Sequence, residues 1–135
     1  MSGMAVLFLC ESNGGPSPLA EAITRALRPG AEVWSAGATP SHVRAEVRTV
    51  LMERGFPRDG LRAKGLAAVP VEDVSLIVRL SRGLDGLRLP KDVRCIDWLL
   101  PDPASYPDDE RLDAYRATRD ELERRISALP AEVFA

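Results

Sequence analysis

Apolar residues along the chain alternate between short continuous runs and segments with helical spacing. Residues 4–9 and 74–80 are apolar at nearly every position, which is typical of strands buried on both faces of a parallel sheet. Shorter strands are predicted at residues 31–34 and 93–98. Because helical or loop segments separate these four strands, the pattern predicts an α/β domain with right-handed crossovers between parallel strands.

Three longer segments repeat their apolar residues with helical spacing. The first begins near Ser17, a favourable N-cap, and Pro18, whose missing N–H costs nothing at the first helical position. The second ends near Gly55, a typical C-terminal stop. The predicted helices cover residues 18–27, 41–54 and 108–129, with a brief helical segment at 66–73 and loops at 56–64, 81–90 and 99–107.

Composition and charge narrow the class of protein. The 135 residues suit a single domain, residues 1–135, and a net charge of -2 argues against a nucleic-acid-binding protein. The longest apolar run is far too short to cross a membrane, so no membrane partner is predicted. Two cysteines do not make a disulfide framework, which favours a reducing cytoplasm. With His42 as the only histidine, we predict no metal site and no cofactor.

The first strand is followed by a small polar loop that carries the candidate chemistry. Cys10 opens this loop, and Gly14 and Gly15 precede the first helix. Free backbone N–H groups and the helix dipole make such a strand–loop–helix junction an anion site, and they stabilise a thiolate placed there. In a parallel sheet the loops at 81–90 and 99–107 reach the same edge as Cys10, which is where ligands bind.

The loop resembles the active-site loop of the low-molecular-weight protein tyrosine phosphatases and of the arsenate reductases with the same fold. That family has a cysteine, five residues of any kind, an arginine and a serine after a buried first strand. Cys10 and Ser17 match in type and spacing, and Asn13 matches an asparagine that braces the loop. Pro16 stands at the position of the arginine.

Further matches extend over nearly the whole chain. Ser35-Ala36-Gly37 looks like the family's Ser-Ala-Gly, and residues 119–122 look like the Arg-Asp motif of its last helix. Asp102-Pro103 falls where the family keeps an Asp-Pro, and Trp98 and Ala104 look closer to the arsenate-reductase branch. The resemblance implies a flavodoxin-like three-layer sandwich whose four-stranded parallel sheet has the order 2-1-3-4, with helices on both faces.

The resemblance also implies roles for individual residues. Cys10 is the expected nucleophile and Asp102 the expected general acid. The expected ligand is a phosphate-like or arsenate-like oxyanion, with a phosphoprotein or an external thiol as a further candidate partner. The residues expected to bind the oxyanion are Glu11, Ser12, Asn13, Gly14, Gly15 and Ser17.

Two features of the loop depart from what this chemistry needs. Pro16 removes both the bidentate guanidinium and a backbone N–H, and Glu11 places a negative charge at the mouth of the loop. The leading hypothesis is therefore a member of this family with a degenerate oxyanion loop, weak or absent phosphatase activity and an anion- or partner-binding role.

Two alternatives remain open. An active phosphatase or arsenate reductase would need an arginine from another loop, for which Arg79 and Arg82 are the candidates. Such a reductase would depend on an external thiol, because the strand order that the resemblance implies puts Cys95 two strands from Cys10, about 9.6 Å away at the usual strand spacing, and a disulfide needs Cα atoms within about 7 Å. A redox-sensing or scaffolding protein would use only an accessible thiol at Cys10.

Overall fold

The computed structural model describes residues 5–134. Its four strands are parallel and form one sheet in the order β2-β1-β3-β4. The predicted α/β class and strand order are confirmed, and Met4, the first residue of the first predicted strand, lies outside the described residues. The strands are β1 (Ala5–Cys10), β2 (Val33–Gly37), β3 (Val74–Arg79) and β4 (Arg94–Asp97), and the α-helices are α1 (Pro16–Leu27), α2 (Ala45–Glu53) and α3 (Asp108–Ala128). None of the helices in residues 5–134 has the length and apolar character needed to cross a membrane.

Strand β1 lies at the centre of the sheet and separates two apolar cores. All six of its residues are buried, and successive side chains point to opposite faces. Phe8 and Cys10 belong to the core shared with α1, α2 and α3. Leu7 and Leu9 belong to a smaller core, which is covered by residues 84–93 and two 3-10 helices. These 3-10 helices, Leu66–Ala68 and Val71–Asp73, form the segment that was predicted to be briefly helical.

Strand β2 begins and ends later than predicted. The sequence indicated residues 31–34, but the pairing with β1 runs from Val33 to Gly37 and includes the Ser-Ala-Gly motif. Gly37 pairs with Cys10 at the end of β1, where a Cβ atom on residue 37 would lie 2.6 Å from the Asn13 nitrogen. The motif therefore lets the second strand reach the active-site loop at close range.

Helix α2 begins at Ala45, not near residue 41 as predicted. The preceding residues use their N–H groups on the carbonyl oxygens of the first loop, so they stay extended. Thr39 donates to Glu11 at 2.8 Å, and Arg44 donates to Gly14 at 2.9 Å. This segment holds the outer side of the loop that follows Cys10.

Helix α3 is fastened to the end of α2 by the Arg-Asp motif. Arg119 is 7% exposed, and its Nη1 donates to the carbonyl of Val50 at 2.9 Å and to Glu53 at 2.8 Å. Hydrogen bonds from Arg116 and Arg119 hold the pKa of the Glu53 carboxyl below its usual value. The motif thus stabilises the packing of helices behind the sheet edge.

Candidate active site

Three loops meet at the carboxyl edge of the sheet and enclose a cavity of about 540 Å³. The loop after β1 contributes Cys10, Glu11, Ser12 and Pro16 to its lining. Residues 81–83 after β3 and residues 99–102 after β4 form the rest. Cys10 and Asp102, which the resemblance identified as nucleophile and acid, therefore line one cavity. Its size is typical of a small-molecule site.

The thiol of Cys10 contacts Ser17 across the loop, with 2.9 Å between Sγ and Oγ. The prediction that Ser17 is the N-cap was wrong. Helix α1 begins one residue earlier than that, at Pro16, and Gly15 occupies the cap position without a side-chain hydrogen bond. Proline suits the first helical position, and this frees the Ser17 hydroxyl to face the sulfur.

Asn13 braces the loop from inside, as the resemblance implied for this position. Its side chain is fully buried, and its Nδ2 donates to Ser17 at 2.8 Å and to Ser35 at 3.0 Å. Its Oδ1 accepts from the N–H of Lys64 at 2.9 Å. Asn13 has φ of 50°, a left-handed conformation that asparagine adopts more readily than most residues. The loop is thereby tied to three other parts of the chain.

A buried ion pair lies behind Asn13 and was missed in the sequence. Glu21 of α1 is 2% exposed; it accepts a hydrogen bond from Ser35 and lies 3.5 Å from the ammonium of Lys64. Burial lowers the pKa of Lys64, and the neighbouring Glu21 opposes that shift. The sequence offered one signal, because Glu21 is the one charged residue between Pro16 and Thr24, a stretch that the structure buries throughout.

Within residues 5–134, several N–H groups of the loop backbone have no protein acceptor, while the loop residues that line the cavity are Cys10, Glu11, Ser12 and Pro16. In the part of the chain that the structure describes, no protein acceptor pairs with the N–H groups of Ser12, Asn13, Gly14, Gly15 and Ser17. Such a nest of successive N–H groups at a helix N-terminus binds anions. Pro16 and Pro18 contribute no donors, and the N–H of Glu11 is used on the Ser81 hydroxyl at 3.0 Å. The loop therefore keeps unpaired N–H groups at residues 12–15 and 17 within the described part of the chain, whereas residues 11, 16 and 18 offer none.

Asp102 lies on the opposite wall of the cavity in a short turn of its own. Its Oδ1 accepts from the N–H of Ala104 at 3.0 Å, and its carbonyl accepts from the Ser105 hydroxyl at 2.7 Å. Asp102 is exposed and caps the 3-10 helix Pro103–Ser105. These bonds from Ala104 and Ser105 hold the Asp102 carboxylate at the cavity wall.

The two candidate arginines differ in their surroundings. Arg79 is paired with Asp97, with 2.6 Å between Nε and Oδ1, and this contact raises its pKa. Arg79 borders a neighbouring surface cleft and not the cavity of Cys10. Arg82 lines the cavity, and within residues 5–134 it forms no ion pair. The structure thus distinguishes the two arginines by their position and pairing, which the sequence did not reveal.

Tyr115 of α3 and Arg44, just before α2, are two further residues near the loop, and neither carries a motif. Tyr115 is fully buried and packs beside Gly15, and its hydroxyl makes no hydrogen bond of ordinary geometry among residues 5–134, although the Arg44 guanidinium is near enough to interact with it. Burial raises the pKa of Tyr115, and the nearby Arg44 partly offsets that shift. No sequence pattern distinguishes this tyrosine from an ordinary apolar residue of an amphipathic helix.

The second cysteine lies away from the cavity. Cys95 is exposed and pairs in register with Ile77, which in turn pairs with Leu7, so it lies on the other face of the sheet from Cys10. Strand β3 separates the two cysteines, which rules out a disulfide without backbone movement. Within residues 5–134, no cluster of three or more His, Cys, Asp or Glu side chains could hold a metal ion.

Comparisons with solved structures agree with this geometry. The chain is similar to an arsenate reductase in the phosphate binding state, with 25% identity, a TM-score of 0.78 and coverage of 96% of this chain and 98% of that one. It is similar to the YwlE arginine phosphatase from Geobacillus stearothermophilus, with 26% identity, a TM-score of 0.75 and coverage of 91% and 88%. It is also similar to a low molecular weight protein tyrosine phosphatase from T. tengcongensis, with 26% identity, a TM-score of 0.75 and coverage of 93% of this chain and 96% of that one.

Sequence comparison identifies the family directly. A search of curated proteins finds no match. The family model described as low molecular weight phosphotyrosine protein phosphatase matches residues 5–135, nearly the full length of the chain. The match includes the loop of Cys10, the second strand motif and the last helix. The chain therefore belongs to the low molecular weight phosphotyrosine protein phosphatase family.

Proposed function

We propose that this protein binds a phosphate-like or arsenate-like oxyanion, free or on a phosphoprotein, and that its phosphatase activity is weak or absent. The observation that carries this proposal is Pro16, which lines the cavity at the first position of α1. A proline there has neither a guanidinium nor a backbone N–H to offer to an oxyanion. Removing a single oxyanion donor commonly lowers a rate by about 10²–10³.

Charge at the cavity supports the same conclusion. Two carboxylates, Glu11 and Asp102, line it beside one arginine, Arg82. The transition state of phosphoryl transfer carries negative charge on several oxygens, and its stabilisation needs concentrated positive charge or many oriented donors. The remaining backbone donors are enough to favour anion binding, whereas the developing charge of a transition state lacks its bidentate partner.

Retained features explain why we expect anion binding and not an inert loop. Within residues 5–134 the donors at residues 12–15 and 17 lack protein acceptors, and Asn13 holds their loop in shape. Cys10 and Asp102 keep the places that the family uses for nucleophile and acid. A free thiol at this position suits a reducing cytoplasm, which is the compartment we assign.

Two measurements on the purified protein test the proposal. Phosphate titrated into the wild-type protein should bind, and hydrolysis of a small aryl phosphate should be marginal between pH 5 and 7. Cys10→Ser should leave folding unchanged and abolish any residual turnover. Turnover within tenfold of an ordinary family member, lost in Cys10→Ser, would overturn the assignment, as would the absence of phosphate binding.

The second candidate is an active enzyme that uses Arg82 as its arginine. In a phosphatase cycle the Cys10 thiolate would form an S–P bond while the P–O ester bond breaks, and Asp102 would give its proton to the leaving oxygen. A reductase would need an external thiol, since Cys95 lies on another strand and face. Arsenate-dependent consumption of a small thiol, lost in Cys10→Ser, would favour the reductase.

A further inference from the structure

We propose that Arg82 is the cation that draws anions to Cys10, from a place in the cavity wall outside the loop that holds the thiol. This inference rests on the proposed anion-binding function and names the residue that supplies its positive charge. Arg82 lines the same cavity as Cys10 and Asp102. It comes from the loop after β3, not from the loop that holds the thiol.

The backbone on the N-terminal side of Arg82 is fixed to both neighbouring elements. Leu80 is fully buried; its N–H donates to Leu9 at 2.8 Å, and its carbonyl accepts from Leu100 at 3.2 Å. The Ser81 hydroxyl accepts from the N–H of Glu11 at 3.0 Å and donates to the Arg82 carbonyl at 2.9 Å. These contacts set where the Arg82 side chain leaves the sheet edge.

The C-terminal side is fixed by a close contact. Gly83 has φ of 81°, and the Glu11 side chain lies against it so closely that a Cβ atom on residue 83 would overlap the carboxylate. Arg82 is therefore held between two residues that both contact Glu11. Since Glu11 directly follows Cys10, this arrangement couples the position of Arg82 to that of the thiol.

Electrostatic surroundings distinguish Arg82 from its neighbour Arg79. Arg79 is paired with Asp97 and lies on the same face of the sheet as Cys95, the face opposite Cys10. Arg82 is exposed and has no ion-pair partner in the described part of the chain. A free guanidinium offers the planar fork that fits two oxygens of a tetrahedral oxyanion. The substrate class that follows is a small oxyanion or a monoester of one.

The test compares an anionic with a neutral alkylating agent at each cysteine. Iodoacetate and iodoacetamide react with the same thiolate, so the ratio of their rates cancels accessibility and reports nearby charge. Rates at Cys10 and Cys95 are read by mass spectrometry for the wild type, Arg82→Gln, Arg82→Lys and Arg79→Gln. Arg82 is exposed, and thermal melting checks that each variant stays folded.

Arg82→Gln should lower the ratio at Cys10 about threefold to tenfold, as expected for one unit charge at short range. Arg82→Lys should keep most of the wild-type ratio at Cys10, and Arg79→Gln should change the ratio only at Cys95. Equal ratios at Cys10 in Arg82→Gln and Arg79→Gln would overturn the inference. This readout needs neither turnover nor phosphate binding, so failure of the proposed function would be seen separately in the phosphate titration.

Discussion

The Sγ atom of Cys10 lies 2.9 Å from the Oγ atom of Ser17, so the cysteine that ends β1 meets the second residue of α1. The same Ser17 oxygen accepts a hydrogen bond from Asn13 at 2.8 Å. Because that oxygen already accepts from an amide, its own hydrogen can point towards the sulfur. The three side chains form a chain of contacts that ends at the sulfur of Cys10.

Ser17→Ala should make Cys10 less reactive. A hydrogen bond to a charged group contributes about 1.5–3 kcal/mol, so its loss should slow alkylation at neutral pH by about tenfold or more. The measurement is the rate of iodoacetamide labelling of Cys10 against pH. Ser12→Ala is the matched control, because Ser12 lines the cavity without a hydrogen bond to the thiol. An unchanged Cys10 profile in Ser17→Ala would show that the contact has no chemical effect.

The buried ion pair behind the loop gives a prediction on stability. Glu21→Gln leaves the Lys64 ammonium buried without its partner, which commonly costs about 3–5 kcal/mol. Lys64→Met should cost less, because Glu21 keeps its contact with Arg25 at 2.6 Å. Urea unfolding of both single variants and of the double variant measures this. If the double variant is no more stable than Glu21→Gln, the isolated charge is not the cause of the loss.

The pH dependence of Glu21→Gln has a definite sign. Burial lowers the pKa of Lys64 in the folded state below its ordinary value of 10.5. The unfolded chain then binds more protons, so the stability of the folded state rises as pH increases towards 10.5. Removing Glu21 takes away the group that opposes this shift, so the rise should be steeper in the variant. A stability profile that is flat from pH 7 to 10 would contradict it.

The sequence predicted the strands and the loop of Cys10 because apolar runs and a spaced motif carry that information locally, whereas the strand order was implied by the family resemblance. It misplaced the start of α2 because the N–H groups of Thr39 and Arg44 pair with distant carbonyls at Glu11 and Gly14. It misassigned Ser17 for a similar reason, since its hydroxyl meets Cys10 rather than capping the helix. Local propensity does not reveal partners that the fold supplies.

Local sequence also did not reveal which arginine near the site is already paired with a carboxylate. Arg79 and Arg82 look equivalent in sequence, but in the structure Arg79 is paired with Asp97, whereas Arg82 lines the cavity of Cys10. Asp97 lies opposite Arg79 because β4 pairs with β3 in that register. Register between strands far apart in sequence is set by packing of the whole core, which no short window contains.

Tyr115→Phe should leave stability at pH 7 unchanged or raise it by up to about 1 kcal/mol, because the buried hydroxyl makes no hydrogen bond of ordinary geometry within residues 5–134 and its burial costs desolvation. Burial raises the pKa of Tyr115 above its ordinary value of 10.0, so its contribution to folding is present below pH 10 and is lost as pH rises further. The variant should lose less stability than the wild type above pH 10, measured by urea unfolding. A large loss at pH 7 would instead reveal a functional hydrogen bond from Arg44.

Glu11→Gln should strengthen phosphate binding about threefold to tenfold, because it removes one negative charge from the cavity wall. Its backbone N–H still donates to Ser81, so the loop should keep its shape. Phosphate protection of Cys10 against iodoacetamide measures the affinity. Glu72→Gln, in a 3-10 helix that covers the opposite core, is the control and should have no effect. Equal affinity in the two variants would place the Glu11 charge out of reach of the anion.

Pro16→Arg restores in one step both groups that the family loop has at this position. Pro16 is the first residue of α1 and lines the cavity, so an arginine there returns a backbone N–H to the cradle and a guanidinium to its wall. Cys10 and Asp102 already line the same cavity. The contact that Ser17 makes with Cys10 does not involve Pro16 and should persist. The variant should bind phosphate at least about tenfold more tightly, since charge-assisted bidentate contacts are among the strong polar interactions.

Pro16→Ala is the matched control, because it restores the N–H without the charge and should gain much less than Pro16→Arg. Affinity is measured by calorimetric titration with phosphate, and turnover by release of the aryl alcohol from an aryl phosphate. We expect turnover in Pro16→Arg that is lost again when Cys10→Ser or Asp102→Asn is added, because the restored fork completes charge stabilisation only if nucleophile and acid both work. If Pro16→Arg and Pro16→Ala behaved alike, the loop backbone would not direct residue 16 at the anion, and the weakness of this site would have its cause in the shape of the cradle rather than in the missing arginine.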